Sequence, residues 1–174
     1  MNKMIIDQAH SEIGFKVKHL MISTVKGNFT TFSGGVEEDG SVSISMNVNS
    51  INTSNTDRDN HLKSADFFNS EEFPTIDFVG KMTEDMNTVT GEITIKGVTK
   101  EVTLDVDYNG MSVDPWGNTK HGWEITGSIN RGDFGLTWNA PLETGGVLVS
   151  EEVKLSMDIQ MMEVVEEMET SSAE

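Results

Sequence analysis

The segment NTDRDNHLKSADFFNSEEFP, residues 55–74, is the only substantial interruption in a chain that otherwise has the pattern of β-strands and turns. Thr56 suits a helix N-cap, and Asp57 and Asp59 place negative charge in the first turn, where the helix dipole favours it. Pro74 cannot continue a helix and returns the chain to extended structure. The segment therefore predicts one short helix in an all-β chain, which we interpret as a lid.

One face of this predicted helix is half apolar and half polar, and it consists of Arg58, His61, Leu62 and Ala65. Arg58 and His61 could offer donors to an oxygen-bearing head group at the mouth of a cavity. Alternatively, Arg58 pairs with a carboxylate such as Asp66 or Glu72 and pins the lid. Three aromatic side chains follow the helix: Phe67, Phe68 and Phe73.

Elsewhere, apolar and polar residues alternate with the period of two that is typical of strands with one buried face. We predict eight strands, within residues 13–17, 25–29, 42–48, 76–82, 89–95, 98–108, 123–129 and 147–161. Their short connections favour antiparallel neighbours, and closure of the sheet removes both exposed edges. The sequence therefore predicts an eight-stranded antiparallel barrel over residues 1–162, whose interior is filled by side chains or holds one small ligand. An acidic tail, expected to be disordered, follows at residues 163–174.

The predicted inner face contains two unusual kinds of residue. It is small at Gly27, Gly80, Gly91 and Gly127, which either let the sheet bend or leave room for a ligand. It is polar at His19, Arg58, His61 and Glu151. Burial of an unpaired polar group is costly, so each of these side chains needs a partner, a water molecule or a ligand.

Composition excludes several classes of function. The chain has 174 residues and no cysteine. Its net charge of −17 disfavours nucleic acid and anionic membrane surfaces as partners. No apolar run approaches the roughly 20 residues of a membrane-spanning helix, so we expect no stable membrane insertion. The first residues, MNKMIIDQAHSEIGF, have no signal-peptide pattern, so the expected location is the cytoplasm.

No motif for catalysis or metal binding emerges. Asp57, Asp59 and His61 begin like a calcium loop, but Leu62 stands where that loop needs glycine. No serine lies in a G-x-S-x-G turn. No two histidines have the spacing of zinc ligands; they are His10, His19, His61 and His121. We therefore expect no metal, no cofactor and no enzymatic activity.

Five segments occur in a fixed order: HSEIGFKVKHLMISTVKGNF (10–29), INTSNTDRDNHLKSADFFNSEEFPTIDF (51–78), ITIKGVTKEVTLDV (93–106), DPWGN (114–118) and INRGDFGLTWNAPLETGGVLVSEEVKL (129–155). Together they resemble the YceI-like, polyisoprenoid-binding family over most of the chain. The resemblance implies an extended lipocalin-like barrel whose tunnel holds an isoprenoid chain, an isoprenoid quinone or another long amphiphilic lipid. It does not imply catalysis.

The same resemblance suggests ligand-binding residues. Wall positions are Phe15, Val17, Ile44, Met46, Ile76, Phe78, Ile93, Ile95, Leu104 and Trp123. Positions for polar contacts inside or at the lid are His19, Arg58 and His61. From the lid segment itself we add Leu62 and Phe67 as candidate ligand contacts. The matching segment at Asn130–Arg131 and Phe134–Leu136 is interpreted as a structural corner.

Two alternatives and the oligomeric state stay open at this point. The cavity could serve an enzyme or a stress-response factor that uses His19 or His61 as acid or base. A barrel filled by its own side chains could instead act through its surface. The sequence leaves a homodimer open.

Overall fold

A computed structural model describes residues 1–139 and 149–165. These residues contain one α-helix, α1 (Thr56–Lys63), and three 3-10 turns, Gln8–His10, Val48–Ser50 and Arg131–Phe134. They also form eleven strands: β1 (Met4–Ile6), β2 (Glu12–His19), β3 (Ser23–Phe29), β4 (Phe32–Val36), β5 (Ser41–Asn47), β6 (Ile51–Asn52), β7 (Thr75–Met82), β8 (Thr88–Ile95), β9 (Val98–Val113), β10 (Thr119–Asn130) and β11 (Val149–Glu163).

The strands form one closed antiparallel barrel. Neighbouring strands follow the order β4-β5-β7-β8-β9-β10-β11, and β1 closes the circle by pairing with both β4 and β11. β2 also pairs with β11, further along that strand, while β3 pairs with β2 and β6. At three positions around the barrel, two short strands therefore take the place of one: β1 with β2, β3 with β4, and β5 with β6. The predicted eight-stranded barrel is confirmed, with three of its positions divided into two short strands.

The buried side chains follow the alternation in the sequence. Val42, Ile44 and Met46 of β5 are buried, and the residues between them are more exposed. Ile44 lies opposite Phe78 of β7, and Phe78 lies opposite Ile93 of β8, so the three side chains point to the same side of the sheet. This row of apolar side chains surrounds the barrel axis.

The lid helix begins one residue earlier than the sequence indicates. Asn55 is the N-cap, and its side chain accepts a hydrogen bond from the backbone N–H of Arg58 at 3.0 Å. The prediction that Thr56 caps the helix is therefore wrong, because Thr56 is the first helical residue. None of the eight helical residues is fully buried, and Leu62 is partly buried against the barrel core.

The space beside the inward glycines is occupied by the protein itself. A Cβ atom on Gly27 would lie 2.4 Å from the Phe15 ring, and one on Gly127 would lie 2.4 Å from Leu104. At Gly91 it would lie 2.2 Å from the backbone oxygen of Val79 on the neighbouring strand. These glycines therefore allow close approach of strands and side chains within the wall and leave no room for a ligand.

Glu151 does not belong to the inner row. Val149 pairs with His19 and Val153 with Val17, so β11 carries two more residues than β2 between these pairs. This bulge turns Glu151 to the outside, where it is exposed, while Val149 and Val153 stay on the inner side. The prediction of an inward Glu151 is wrong because alternation alone does not reveal a bulge.

The last strand extends one residue beyond the predicted barrel boundary at 162. Glu163 pairs with Met4, and its Oε1 lies 2.9 Å from Nε2 of His121. The hydrogen bond from His121 lowers the pKa of Glu163. Residues 166–174 of the predicted tail lie outside the described residues, as does Val147, with which the predicted last strand begins.

A partly buried ion pair joins β10 to the segment after β1. Oδ2 of Asp7 lies 2.5 Å from Nζ of Lys120 and 2.8 Å from Nδ1 of His10. The hydrogen bond from Lys120 is the largest cause of a lowered Asp7 pKa.

This ion pair should contribute to acid unfolding. Because the pKa of Asp7 is lower in the folded state, its contribution is full above the unfolded value of about 3.9 and is lost as the pH falls through the folded value. We expect Asp7→Asn to cost less than about 1 kcal/mol at neutral pH and to flatten the fall in stability below about pH 4, as measured by urea unfolding. Lys120→Gln should flatten it in the same way; an unchanged profile in Lys120→Gln would contradict this.

Candidate functional site

The barrel encloses a cavity of about 100 Å³. Apart from Gly14, every residue in its lining has an apolar side chain. Eight of the predicted wall residues line it: Phe15, Ile44, Met46, Ile76, Phe78, Ile93, Ile95 and Leu104. We call this space the inner cavity; since the side chains that line it within residues 1–139 and 149–165 carry no hydrogen-bonding group, it suits hydrocarbon.

A second space of about 490 Å³ lies beside α1. Six of the predicted residues line it in addition to Phe15: Val17, His19, Arg58, His61, Leu62 and Phe67. Phe15 and Val153 line both spaces, so the two meet at these side chains. We call the second space the mouth; it has an apolar floor and a partly polar rim, the arrangement that an amphiphile needs.

Trp123 lies outside both spaces. Its side chain is buried in the wall, with its ring 5.7 Å from that of His121 and 5.4 Å from that of Tyr108. Alternation along β10 places Trp123 on the inner side, but the cavity does not extend to that end of the strand.

The predicted set omits several residues that line the two spaces. In the inner cavity these include Val102, Ile125, Leu155 and Met157, which continue rows of alternating residues that the sequence already shows. At the mouth they include Thr53, Arg131, Leu136 and Trp138. No periodic pattern could have identified the mouth residues, because they lie in connections between strands.

Arg58 fastens the lid through Thr53. Nε of Arg58 donates to the Thr53 hydroxyl at 2.8 Å, and a terminal nitrogen donates to the Thr53 carbonyl at 2.6 Å. Asp59 accepts from the backbone N–H and the hydroxyl of Thr53 at 2.9 and 2.5 Å. The alternative in which Arg58 pairs with Asp66 or Glu72 is therefore wrong, because its side chain bonds the buried Thr53 instead.

His61 belongs to an aromatic cluster at the mouth. Its Nε2 lies 2.9 Å from Oδ2 of Asp66, so Asp66 bonds the histidine of the lid instead of the arginine. The His61 ring meets those of Phe67 and Trp138 edge-on, at centroid distances of 5.2 and 4.7 Å. The rings of Phe67 and Trp138 also contact each other, at 5.5 Å, so the three rings pack together at the mouth.

His19 provides a polar side chain to the mouth at the end of β2. It is half-buried, and within the described residues its ring nitrogens make no hydrogen bond to the protein. Its imidazole can therefore donate to or accept from a bound polar group.

Arg131 organises the side of the mouth that faces the lid. Its side chain is buried, and burial lowers the pKa of the guanidinium, an effect that the charge of Glu151 opposes. The guanidinium donates to four carbonyl oxygens, those of Leu136 at 2.6 Å, Trp138 at 2.8 Å, Ser150 at 2.9 Å and Val149 at 3.3 Å. It therefore positions residues of the mouth lining on both sides of the 140–148 segment.

Within residues 1–139 and 149–165, no three His, Asp or Glu side chains come together as potential metal ligands. None of the helices formed by these residues has the length and hydropathy needed to cross a bilayer.

Comparison with known sequences gives a consistent result. A family model described as a YceI-like domain matches residues 5–161. The UPF0312 protein SAS2572 of Staphylococcus aureus (strain MSSA476) is 45% identical over 161 residues, which cover 88% of this chain and 94% of that protein.

Solved structures agree with this. The Campylobacter jejuni YCEI protein is 33% identical with a TM-score of 0.72, over 91% of this chain and 96% of that one. A polyisoprenoid binding domain from Saccharophagus degradans superposes with a TM-score of 0.76 over 94% of this chain and 100% of that domain. With 13% identity, the second likeness concerns the fold alone.

Proposed function

The chain belongs to the family of YceI-like domains, and from this premise we propose that it binds a long amphiphilic lipid, of polyisoprenoid or isoprenoid-quinone type, without catalysing a reaction. The apolar lining of the inner cavity and its contact with the mouth at Phe15 are the observations that carry this proposal. The tail enters the inner cavity, and the head group lies at the mouth near His19. The same fold occurs in the polyisoprenoid binding domain from Saccharophagus degradans.

Apolar burial supplies the affinity. At about 25 cal/mol per Å², covering a few hundred Å² of hydrocarbon contributes several kcal/mol. After the cost of association this corresponds to roughly micromolar binding. A hydrogen bond at His19 then selects among head groups.

The size of the inner cavity implies that a long tail must move side chains. At about 100 Å³ it is smaller than the roughly 150 Å³ cavity that holds a benzene molecule. Met46 and Met157 line it, and the flexible thioether side chain adapts to irregular apolar shapes. The tail therefore widens the inner cavity as it enters, beginning at Phe15 where the two spaces meet.

Uptake of an isoprenoid quinone tests the proposal. We expect native mass spectrometry to detect a one-to-one complex after incubation with the quinone, and an amphiphile already bound after gentle purification. Absence of any bound amphiphile together with no quinone uptake would contradict the proposal.

The two histidines at the mouth separate binding from catalysis. In a binding protein, the double substitution His19→Gln and His61→Gln should weaken uptake by about tenfold, because glutamine keeps a hydrogen-bonding group and the apolar burial is unchanged. In an enzyme that uses either imidazole as acid or base, the same variant loses turnover of the bound lipid while still binding it. Product analysis of the complex after prolonged incubation distinguishes the two.

A further inference from the structure

Lysines line up across three neighbouring strands on the outside of the barrel. Lys16 of β2 lies directly opposite Lys154 of β11 on one side and Lys26 of β3 on the other. Lys18 follows two residues along β2, and all four side chains are exposed. None of the four forms an ion pair with a carboxylate in the described part of the chain. We call these residues the lysine row; like charges directly opposite each other destabilise a sheet, so a bound anion would relieve repulsion here.

The lysine row concentrates positive charge on an acidic protein. The chain has 12 lysines and arginines against 29 acidic residues, and four of those 12 belong to the row. A groove of about 380 Å³ runs among Lys16, Lys18 and Lys154, with Met21, Ser150 and Glu152 also in its lining. The net charge of −17 therefore does not describe this face.

An apolar turn extends beyond the lysine row. Leu20, Met21 and Ile22 connect β2 to β3 and are 36%, 65% and 84% exposed. Leu20 and Met21 also have left-handed backbone angles, with φ of 55° and 60°, which are unfavourable for large apolar residues. His19, which precedes the turn, lines the mouth.

We propose that this face docks on the surface of an anionic phospholipid bilayer, with Met21 and Ile22 in the interface and the lysine row on the phosphate head groups. Exposed apolar residues flanked by lysines are the combination that binds an anionic membrane surface reversibly. Docking in this orientation places the mouth against the bilayer. Transfer of a lipid through the mouth rests on the proposed function, whereas docking itself does not.

A second exposed apolar patch differs from the β2–β3 turn in the charge around it. Met111, Val113 and Trp116, at the turn between β9 and β10, are 61%, 59% and 83% exposed. Asp107 and Asp114 belong to the same hairpin. Desolvation raises the pKa of Asp114, but hydrogen bonds from Asn118 and Trp116 together outweigh it, so the pKa is lowered. An anionic surface repels this turn, so the apolar residues of the β2–β3 turn are the ones suited to it.

Vesicle flotation tests the charge requirement. We expect the whole chain to float with vesicles of equal parts phosphatidylglycerol and phosphatidylcholine but not with phosphatidylcholine alone. Each lysine near an anionic surface contributes about fivefold in partitioning, so Lys16→Gln with Lys26→Gln should reduce binding about 25-fold. The matched variant Lys3→Gln with Lys81→Gln removes the same charge from exposed lysines far from the turn and should change binding by less than about twofold.

The apolar requirement has its own matched pair. Met21→Ser with Ile22→Ser should reduce flotation on the anionic vesicles at least about tenfold, while Trp116→Ser should leave it unchanged. Lack of flotation by the unaltered chain, or equal effects of the two lysine variants, would overturn the docking proposal. Quinone uptake from dispersed solution by the Lys16→Gln, Lys26→Gln variant should stay at the unaltered level, so a failure of docking and a failure of lipid binding are distinguishable.

Discussion

Replacement of Arg131 by methionine is expected to lower the free energy of unfolding by about 3 to 5 kcal/mol. The side chain is 5% exposed and donates to four carbonyl oxygens that belong to two separate segments, 136–138 and 149–150. Methionine fills similar volume but donates nothing, so these carbonyls lose a charged donor in a partly buried place. Urea unfolding monitored by circular dichroism measures the difference.

Arg58, the other arginine of the chain, provides the control. It makes two hydrogen bonds, both to Thr53, at a less buried position on the lid. Arg58→Met should therefore cost only about 1 kcal/mol. A cost for Arg131→Met no larger than that for Arg58→Met would show that the carbonyl contacts of Arg131 are not what stabilises the mouth.

Alternation of residues predicts the barrel well because it records which side of each strand is buried. Ile44, Phe78 and Ile93 are adjacent in the structure as the alternating rows require, and all three line the inner cavity. The same rule fails at Glu151, because two extra residues in β11 turn its side chain outward. It also cannot show how far a cavity extends: alternation predicts Trp123 in the wall of the tunnel, but its side chain lies outside the inner cavity.

The mouth is less predictable because its interactions join parts of the chain that sequence pattern does not connect. The sequence suggests a head group or a carboxylate as the partner of Arg58, whereas the structure shows the backbone and hydroxyl of Thr53. Trp138 has no periodic neighbours, and its contact with His61 depends on a loop that Arg131 holds. The resemblance to a family identified the position of Arg131 but not the carbonyl groups that it binds.

The lysine row is a property of strand register. Lys154 is far in the sequence from Lys16 and Lys26, which lie on consecutive strands. The net charge of −17 alone predicts repulsion from anionic membranes. Only the pairing of β11 with β2 and of β2 with β3 brings the three side chains together. Charge averaged over the chain therefore does not describe this face of the barrel, whose local charge follows from strand pairing.

Replacement of Val102 by phenylalanine is expected to weaken isoprenoid binding about 100-fold. Val102 lines the inner cavity from β9, opposite Gly91 of β8, and a phenyl ring in a space of about 100 Å³ leaves little volume for a tail. Losing about 100 Å² of buried hydrocarbon at about 25 cal/mol per Å² costs roughly 2.5 kcal/mol, which approaches a hundredfold in the dissociation constant. Titration with a fluorescent isoprenoid probe measures the change.

Val79→Phe is the matched control, since Val79 lies on the outer face of β7, two strands from β9, and is 63% exposed. It adds the same ring without entering the cavity, so binding should stay within about twofold. Overpacking costs about 1 to 3 kcal/mol, so the urea midpoint of Val102→Phe must be measured beside its affinity. A folded Val102→Phe variant with unchanged affinity would mean that the tail binds outside the inner cavity. The mouth alone would then hold the ligand, and the barrel interior would serve only as a core.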